Sequence, residues 1–292
     1  MSDGAISSFV TRFAPSPSGL LHRGHAFSAL CAFAEARAHG GRFLLRIEDI
    51  DRERCRPEFE QAIYEDLAWL GIEWETPVRR QSDHLEDYHA ALEQLRVHGL
   101  VYRCFRTRSE VLEEIARAPH GPEPHPFRGG PLPAAEEAER LGRGEAFAWR
   151  LSLDVARARL GPAYGGLSFL EAATPGDDDV DFDMVLAEPE TAGDVVLARK
   201  GLGVAYHLAV VVDDALQGIT EVIRGEDLFE ATHIQVLLQR LLGLPTPVYR
   251  HHRLLLRPDG KRYAKRDAAE TLRAIRQSGV PAAELRHQLG FS

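Results

Sequence analysis

An α/β fold on a parallel sheet, split by an α+β insertion and followed by a short helical C-terminal domain, is what the sequence predicts. Three observations carry that prediction. A β-like run, a helix-forming run and a short apolar run follow one another near the start of the chain, as in a βαβ unit. Runs with strand character return after an interruption of roughly ninety residues, and the tail carries short helical stripes. At 292 residues the chain is about twice the ~150-residue prior for one domain, long enough for a catalytic core with an appendage.

The elements are justified in order. Ser8 to Phe13 places β-branched and aromatic residues in near alternation and stops at Ala14-Pro15-Ser16-Pro17-Ser18-Gly19, where two prolines and a glycine forbid continuation. From about His25 the run Ala26, Phe27, Ala29, Leu30, Phe33, Ala34 forms a helix that Gly40-Gly41 ends. Phe43 to Ile47 reads as a buried parallel strand before the acidic turn Glu48 to Asp51. Pro57 opens a second helix through Phe59, Ile63, Leu67 and Leu70, and a third carries Leu85, Tyr88, Leu92 and Leu95 on one face. Thr107 to Glu110 forms a capping box. Six prolines and three glycines between Pro119 and Pro133 exclude regular structure there. Strands are expected at Ala146–Leu153, Asp194–Leu197, His207–Val212 and Ile219–Ile223, then helices through Leu272 and Ile275 and through Leu285 and Leu289.

Composition excludes several classes of protein. With 44% hydrophobic and 27% charged residues the chain is an ordinary globular protein, neither disordered nor fibrous. No apolar run approaches a membrane span and the opening residues lack a signal-peptide pattern, so a cytoplasmic location and no membrane partner are expected. Cys31, Cys55 and Cys104 are too few and too far apart for a disulfide framework. A net charge of −9 disfavours broad binding to polyanions, yet seven basic residues stand between Arg250 and Arg266 against the single acid Asp259. The five aspartates between Asp177 and Asp183 read as a solvated loop.

The sharpest chemical signal is Leu21-His22-Arg23-Gly24-His25, between the first loop and the first helix. Glycine at a helix N-terminus lets backbone N–H groups approach a phosphate, and two imidazoles one turn apart can stabilise charge developing on it. Together with Arg12 to Leu20 this segment resembles the glutamyl branch of class I aminoacyl-tRNA synthetases, in which a strand leads through such a loop into the HIGH signature. Three further blocks match in order: Leu45 to Asp51, Tyr206 to Asp214 and Gly218 to Leu228. The resemblance implies a Rossmann-type class I catalytic domain. It divides the chain into a first catalytic half (1–101), an acceptor-binding-like insertion (102–193), a second catalytic half (194–249) and a loop with a helical stem-contact region (250–292).

By the same resemblance, His22, Gly24 and His25 contact ATP, and Arg12, Phe13, Ala14, Pro15, Ser16, Glu48, Tyr206 and Arg224 bind L-glutamate. The residue types suit an amino-acid site, with arginine for a carboxylate, Glu48 for an ammonium, and serine and tyrosine for neutral hydrogen bonds. Gly260 to Asp267 resembles the second class I signature, with Lys265 at the position of its catalytic lysine and Arg262, Tyr263 and Ala264 departing from the usual lysine, leucine or methionine, and serine. Arginine keeps the charge but not the compact ammonium. His22, His25 and Lys265 are thus the expected catalytic residues, and Arg262 joins the ATP contacts. Magnesium is expected with the nucleotide. Zinc is not expected, because relatives use a Cys-x-Cys pair where this sequence keeps only Cys104, with His120 and His125 as distant candidates.

The match is confined to the catalytic half of the full-length enzymes and is similar in extent to the glutamyl-queuosine tRNA(Asp) synthetases. That family implies activation of glutamate with ATP and transfer to the queuosine base in the anticodon of tRNA(Asp), with no obligate protein partner. Three alternatives stay open: charging of a tRNA 3′ end, a small-molecule adenylyltransferase, and a catalytically silent tRNA-binding paralogue suggested by the altered second signature.

Overall fold

The computed structural model describes residues 9–107, 109–111, 126–172, 182–199, 203–256, 260 and 271–291. The chain opens with β1 (Val10–Phe13), α1 (Arg23–Ala38), β2 (Arg42–Ile47), α2 (Pro57–Trp69), β3 (Glu75–Arg80) and α3 (Leu85–Val97). β1, β2 and β3 pair in parallel in that order, with Phe13 opposite Leu45. The middle of the chain forms β4 (Val101–Cys104), α4 (Ala134–Gly142), β5 (Ala148–Leu151), α5 (Leu153–Leu160), β6 (Ser168–Ala172), β7 (Phe182–Leu186), β8 (Val196–Arg199) and β9 (Gly203–Val204). α6 (Tyr206–Leu216), β10 (Glu221–Gly225), α7 (Phe229–Leu242), β11 (Val248–His252), α8 (Leu272–Gln277) and α9 (Ala282–Gln288) complete it.

The parallel sheet resumes after the interruption, as expected. β10 and β11 pair in parallel, and β10 lies beside β1, where Thr220 N donates to Val10 O at 2.9 Å and Val10 N to Thr220 Oγ1 at 2.8 Å. The hairpin β6–β7 joins the far edge through the parallel pair Tyr249–Glu171, while β4, β5, β8 and β9 form a separate antiparallel sheet. Alternate strand residues face opposite layers, the mark of a sheet covered on both sides. Leu44 and Val222 join a core with Tyr88, Leu208, Val211 and Leu237; Leu45, Ile47 and Ile223 join one with Phe27, Leu30, Leu67, Leu272 and Leu285. The short C-terminal helices thereby pack on α2, where Arg276 Nε meets Asp66 at 3.3 Å and Arg286 Nη1 donates to Leu70 O at 3.0 Å.

One expectation is overturned. His207–Val212 is not a strand but the first half of α6, which continues through Asp213 and Asp214 to Leu216. Leu208 through Val212 are all buried, and an element buried all round has no polar face to reveal its period. The same ambiguity hides α7, in which ten residues are buried, three of them histidine or glutamine. The capping box stands as expected: Thr107 N donates to Glu110 Oε2 at 2.6 Å and Glu110 N to Thr107 Oγ1 at 3.3 Å. Residues 126–133 carry no helix or strand.

Candidate active site

The site is built where parallel strands end, as is usual for open α/β sheets. Past Phe13 the chain turns through the proline loop, which is pinned to the segment following β2: Glu48 N donates to Pro15 O at 3.1 Å and Arg56 N to Pro17 O at 3.0 Å. The loop delivers His22 as the N-cap of α1. His22 Nδ1 accepts from Gly24 N at 3.1 Å, and His25 Nδ1 accepts from His22 N at 3.1 Å. The two rings lie 3.7 Å apart. Because each Nδ1 accepts, each neutral ring carries its proton on Nε2, so both histidines present a donor at the positive end of the helix.

Beneath the loop lies a buried charge cluster. Asp214 on α6 accepts from Arg12 Nε at 3.0 Å, from Arg12 Nη2 at 3.2 Å and from Arg46 Nη1 at 2.7 Å. Arg46 is fully buried and also reaches Glu48 Oε1 at 3.3 Å and Gln217 Oε1 at 2.9 Å. Burial by itself would raise the Asp214 carboxyl, but the Arg12 and Arg46 charges hold it below the ordinary range. Glu48 is pushed the other way: burial raises it, against the pull of Arg46 and Arg12. Neighbouring Asp213 accepts from Arg79, Gln81 and Tyr88 at 2.6, 2.8 and 2.8 Å, tying α6 to β3 and α3. Phe13 and Pro15 are buried, Ala14 and Ser16 partly so. Ser16 Oγ lies 3.6 Å from Cys55 Sγ.

A second group gathers around Arg224 at the end of β10. Its Nη1 donates to Tyr206 Oη at 3.4 Å, its Nη2 to Thr232 Oγ1 at 2.7 Å and its Nε to His251 Nε2 at 3.2 Å. Two of its five N–H groups, one on each terminal nitrogen, have no partner among the described residues. His207, next to Tyr206, has its pKa lowered to about 4 by burial and by the Arg224 charge, and its Nδ1 is buried without a partner among the described residues. Tyr206 and Arg224 therefore meet, while Arg12 and Glu48 are linked through Asp214 and Arg46.

Arg262 and Lys265 lie outside the described residues. The chain that follows them returns to the histidines: Thr271 bridges His22, and Leu272 N donates to Leu21 O at 2.8 Å. In the insertion Cys104 is buried, and among the described residues no group of three His, Cys, Asp or Glu side chains is placed to hold a metal ion. His120 and His125 lie outside the described residues, as do residues 177–181 of the aspartate run. No helix among the described residues is long and apolar enough to cross a membrane.

Sequence reasoning assigned no role to Asp213, Asp214, Thr232, His251 or Glu171. The adjacent acids at the end of an apolar run were the available signal, since a buried carboxylate requires a cation. Glu171 carried none.

A parallel sheet covered on both faces, with a histidine-capped helix at the strand ends, defines a nucleotide-binding α/β domain of class I type. Residues 8–146 and 171–290 match the family described as tRNA synthetases class I (E and Q), catalytic domain. The chain belongs to that family, which uses ATP. It is 49% identical over 291 residues to the glutamyl-Q tRNA(Asp) synthetase of Rhodobacter capsulatus, covering 97% of this chain and 100% of that protein. It is 38% identical to the glutamate--tRNA ligase of a Synechococcus species, covering 97% of this chain but 57% of that one. The crystal structure of a glutamate tRNA ligase from Elizabethkingia meningosepticum in complex with its amino acid superposes with a TM-score of 0.68 at 29% identity, covering 89% of this chain and 52% of that one.

Proposed function

We propose that the protein activates L-glutamate with ATP and transfers it to the queuosine base in the anticodon of tRNA(Asp). The observation that carries the choice of acceptor is the match along its whole length to the Rhodobacter capsulatus relative of that name. The glutamate half is supported by geometry: among the described residues two N–H groups of Arg224 beside Tyr206 have no partner, a donor set for the side-chain carboxylate. Glu48 receives the ammonium, and Arg12, Phe13, Ala14, Pro15 and Ser16 line the approach.

In the first step the α-carboxylate of glutamate attacks the α-phosphorus of ATP. The bond to the β-phosphate oxygen breaks and pyrophosphate leaves, giving glutamyl-adenylate. His22 and His25 place two donors on the phosphates, with Gly24 allowing close approach, and Arg262 and Lys265 add positive charge as pyrophosphate departs. Magnesium comes coordinated to the nucleotide and neutralises phosphate charge. In the second step a queuosine hydroxyl attacks the carbonyl carbon of the mixed anhydride. It loses its proton, the ester forms, and AMP leaves with the electrons of the broken bond. No residue forms a covalent intermediate. We assign residues 1–101 and 194–249, with the loop of 250–292 that carries Arg262 and Lys265, to catalysis, and the insertion 102–193 and the helical part of 250–292 chiefly to tRNA contact.

The test is transfer of labelled glutamate, with ATP and magnesium, to tRNA(Asp) with and without queuosine, using tRNA trimmed of its 3′-terminal adenosine in parallel. Labelling that needs queuosine and survives trimming is the expected result. Labelling lost on trimming means ordinary charging of the 3′ end, and no labelling of any tRNA rejects the function.

A further inference from the structure

We propose that Glu171 and His251 are positioning residues that fix Arg224 for glutamate, so that a strand from the middle of the chain sets amino-acid recognition at the end of β10. Resting on the function proposed above, this adds two residues to it.

Arginine can only donate, so His251 Nε2, 3.2 Å from Arg224 Nε, must be an acceptor. The ring is then neutral and its proton sits on Nδ1. Glu171 receives that proton: its Oε2 lies 2.8 Å from His251 Nδ1, and its Oε1 accepts from His251 N at 2.7 Å. One carboxylate thereby fixes both the ring and the backbone of the same residue. The His251 side chain is 4% exposed and that of Glu171 19% exposed, so water competes little for either bond. Thr232 closes the arrangement, taking the Arg224 Nη2 hydrogen at 2.7 Å with its hydroxyl 3.2 Å from His251 Nε2.

With Nε and one hydrogen of each terminal nitrogen engaged, Arg224 cannot rotate about its last bonds. The two N–H groups left over are held in one plane, as a carboxylate requires. Every group they could offer a ligand is a donor, which matches a carboxylate and leaves the amide nitrogen of glutamine without a partner. Glu171 pairs with Tyr249 across the β6–β11 junction, and Tyr249 lies under the Arg224 guanidinium at 5.3 Å, so the strand contact and the side-chain relay are one unit.

The substitutions E171Q, H251L and H251Q test it. In E171Q the amide can turn its N–H groups toward Nδ1 and drive the ring proton to Nε2, against Arg224. Pyrophosphate exchange is measured with glutamate and with ATP varied in turn, alongside the melting temperature. The expected result is a KM for glutamate raised about tenfold in E171Q and about thirtyfold in H251L, with KM for ATP within twofold of wild type. H251Q, whose amide oxygen can still accept from Arg224, recovers part of the loss. An unchanged KM for glutamate, or a parallel rise in both KM values, overturns the positioning role while wild-type exchange with glutamate still upholds the activation of glutamate. Absence of glutamate-dependent exchange in the wild type rejects the function and this role together.

Discussion

Asp214 receives both arms of the Arg12 guanidinium, at 3.0 and 3.2 Å, with the two side chains 7% and 5% exposed. That fork fixes β1 against α6, elements some two hundred positions apart in the chain, at the point where the proposed amino-acid pocket begins. It also occupies the Nε edge of Arg12, so only Nη1 and one hydrogen of Nη2 remain for a ligand. Asp214 also offsets the Arg12 charge, whereas the partners of Arg224 (Tyr206, Thr232 and His251) carry no negative charge, so Arg12 is the weaker carboxylate contact and Arg224 the stronger.

Removing the charge of Asp214 leaves Arg12 and Arg46 without their shared counter-ion. D214N keeps the shape and should cost about 3–5 kcal/mol of stability, the usual penalty for breaking a buried pair by removing one partner. Urea unfolding reads this directly. An unfolding midpoint equal to wild type would show that Glu48 and Asp213 compensate.

The histidine pair should act on chemistry more than on binding. H22A and H25A each remove an Nε2 donor proposed for the phosphates, and K265A the positive charge proposed for the departing pyrophosphate. Losses of about 10²–10³ in kcat are expected for groups of this kind, with KM for glutamate little changed. Equal kcat in H22A and wild type would place the nucleotide elsewhere.

Glu221 at the start of β10 gives stability a pH dependence. Burial raises its pKa from 4.5 to about 7, against the Arg250 and His39 charges. The folded state therefore holds a proton that the unfolded state has released between those values, and this group's contribution falls as pH rises through that window. E221Q stays neutral throughout. It should raise Tm at pH 8 by about 2–4 °C, the shift that roughly 1 kcal/mol produces in a domain of this size, and by less at pH 5. Equal shifts at both pH values would remove Glu221 as the cause.

Much of this was legible in the chain itself. α1 announces itself by a run of helix-forming residues, α2 and α3 by an apolar face, and each has a glycine just past its end. The His22–His25 pair was visible because its chemistry is local: N-cap and third helical residue lie within one turn. Arg12, Glu48, Tyr206 and Arg224 were named from resemblance, and their environments were not predictable. Asp214 acquires its role only when α6 crosses β1 and β2, and α6 itself was hidden by being apolar on every side. Glu171 needs β6 to pair with β11, a contact between residues eighty positions apart with a single register pair. Nothing in the residues beside it encodes that partner. β11 was concealed in the same way by its charge, since Arg250, His251 and His252 read as the start of a basic loop.

The insertion supplies the last prediction. Asp194 is 4% exposed, and its carboxylate accepts from Tyr102 Oη at 2.9 Å, Gly129 N at 2.9 Å and Leu153 N at 3.1 Å, while its carbonyl accepts from Arg150 Nη1 at 2.5 Å. Gly193 makes this approach possible: it has φ +67°, and a β-carbon there would lie 2.5 Å from Phe127 O. Burial and then the Asp194 charge keep the Tyr102 phenol protonated as a donor. One carboxylate thus ties the proline-rich segment to β4 and to the start of α5, close to the buried Cys104. D194A strands the buried Leu153 N–H, at about 1–3 kcal/mol for such a group, and frees the loop at Gly129. The expected outcome is faster proteolysis within residues 102–193 and a lower Tm, with a metal chelator leaving the wild-type Tm unchanged. A Tm that falls on chelation would instead make a metal the fastener, and unaltered proteolysis of D194A would leave Asp194 without this role.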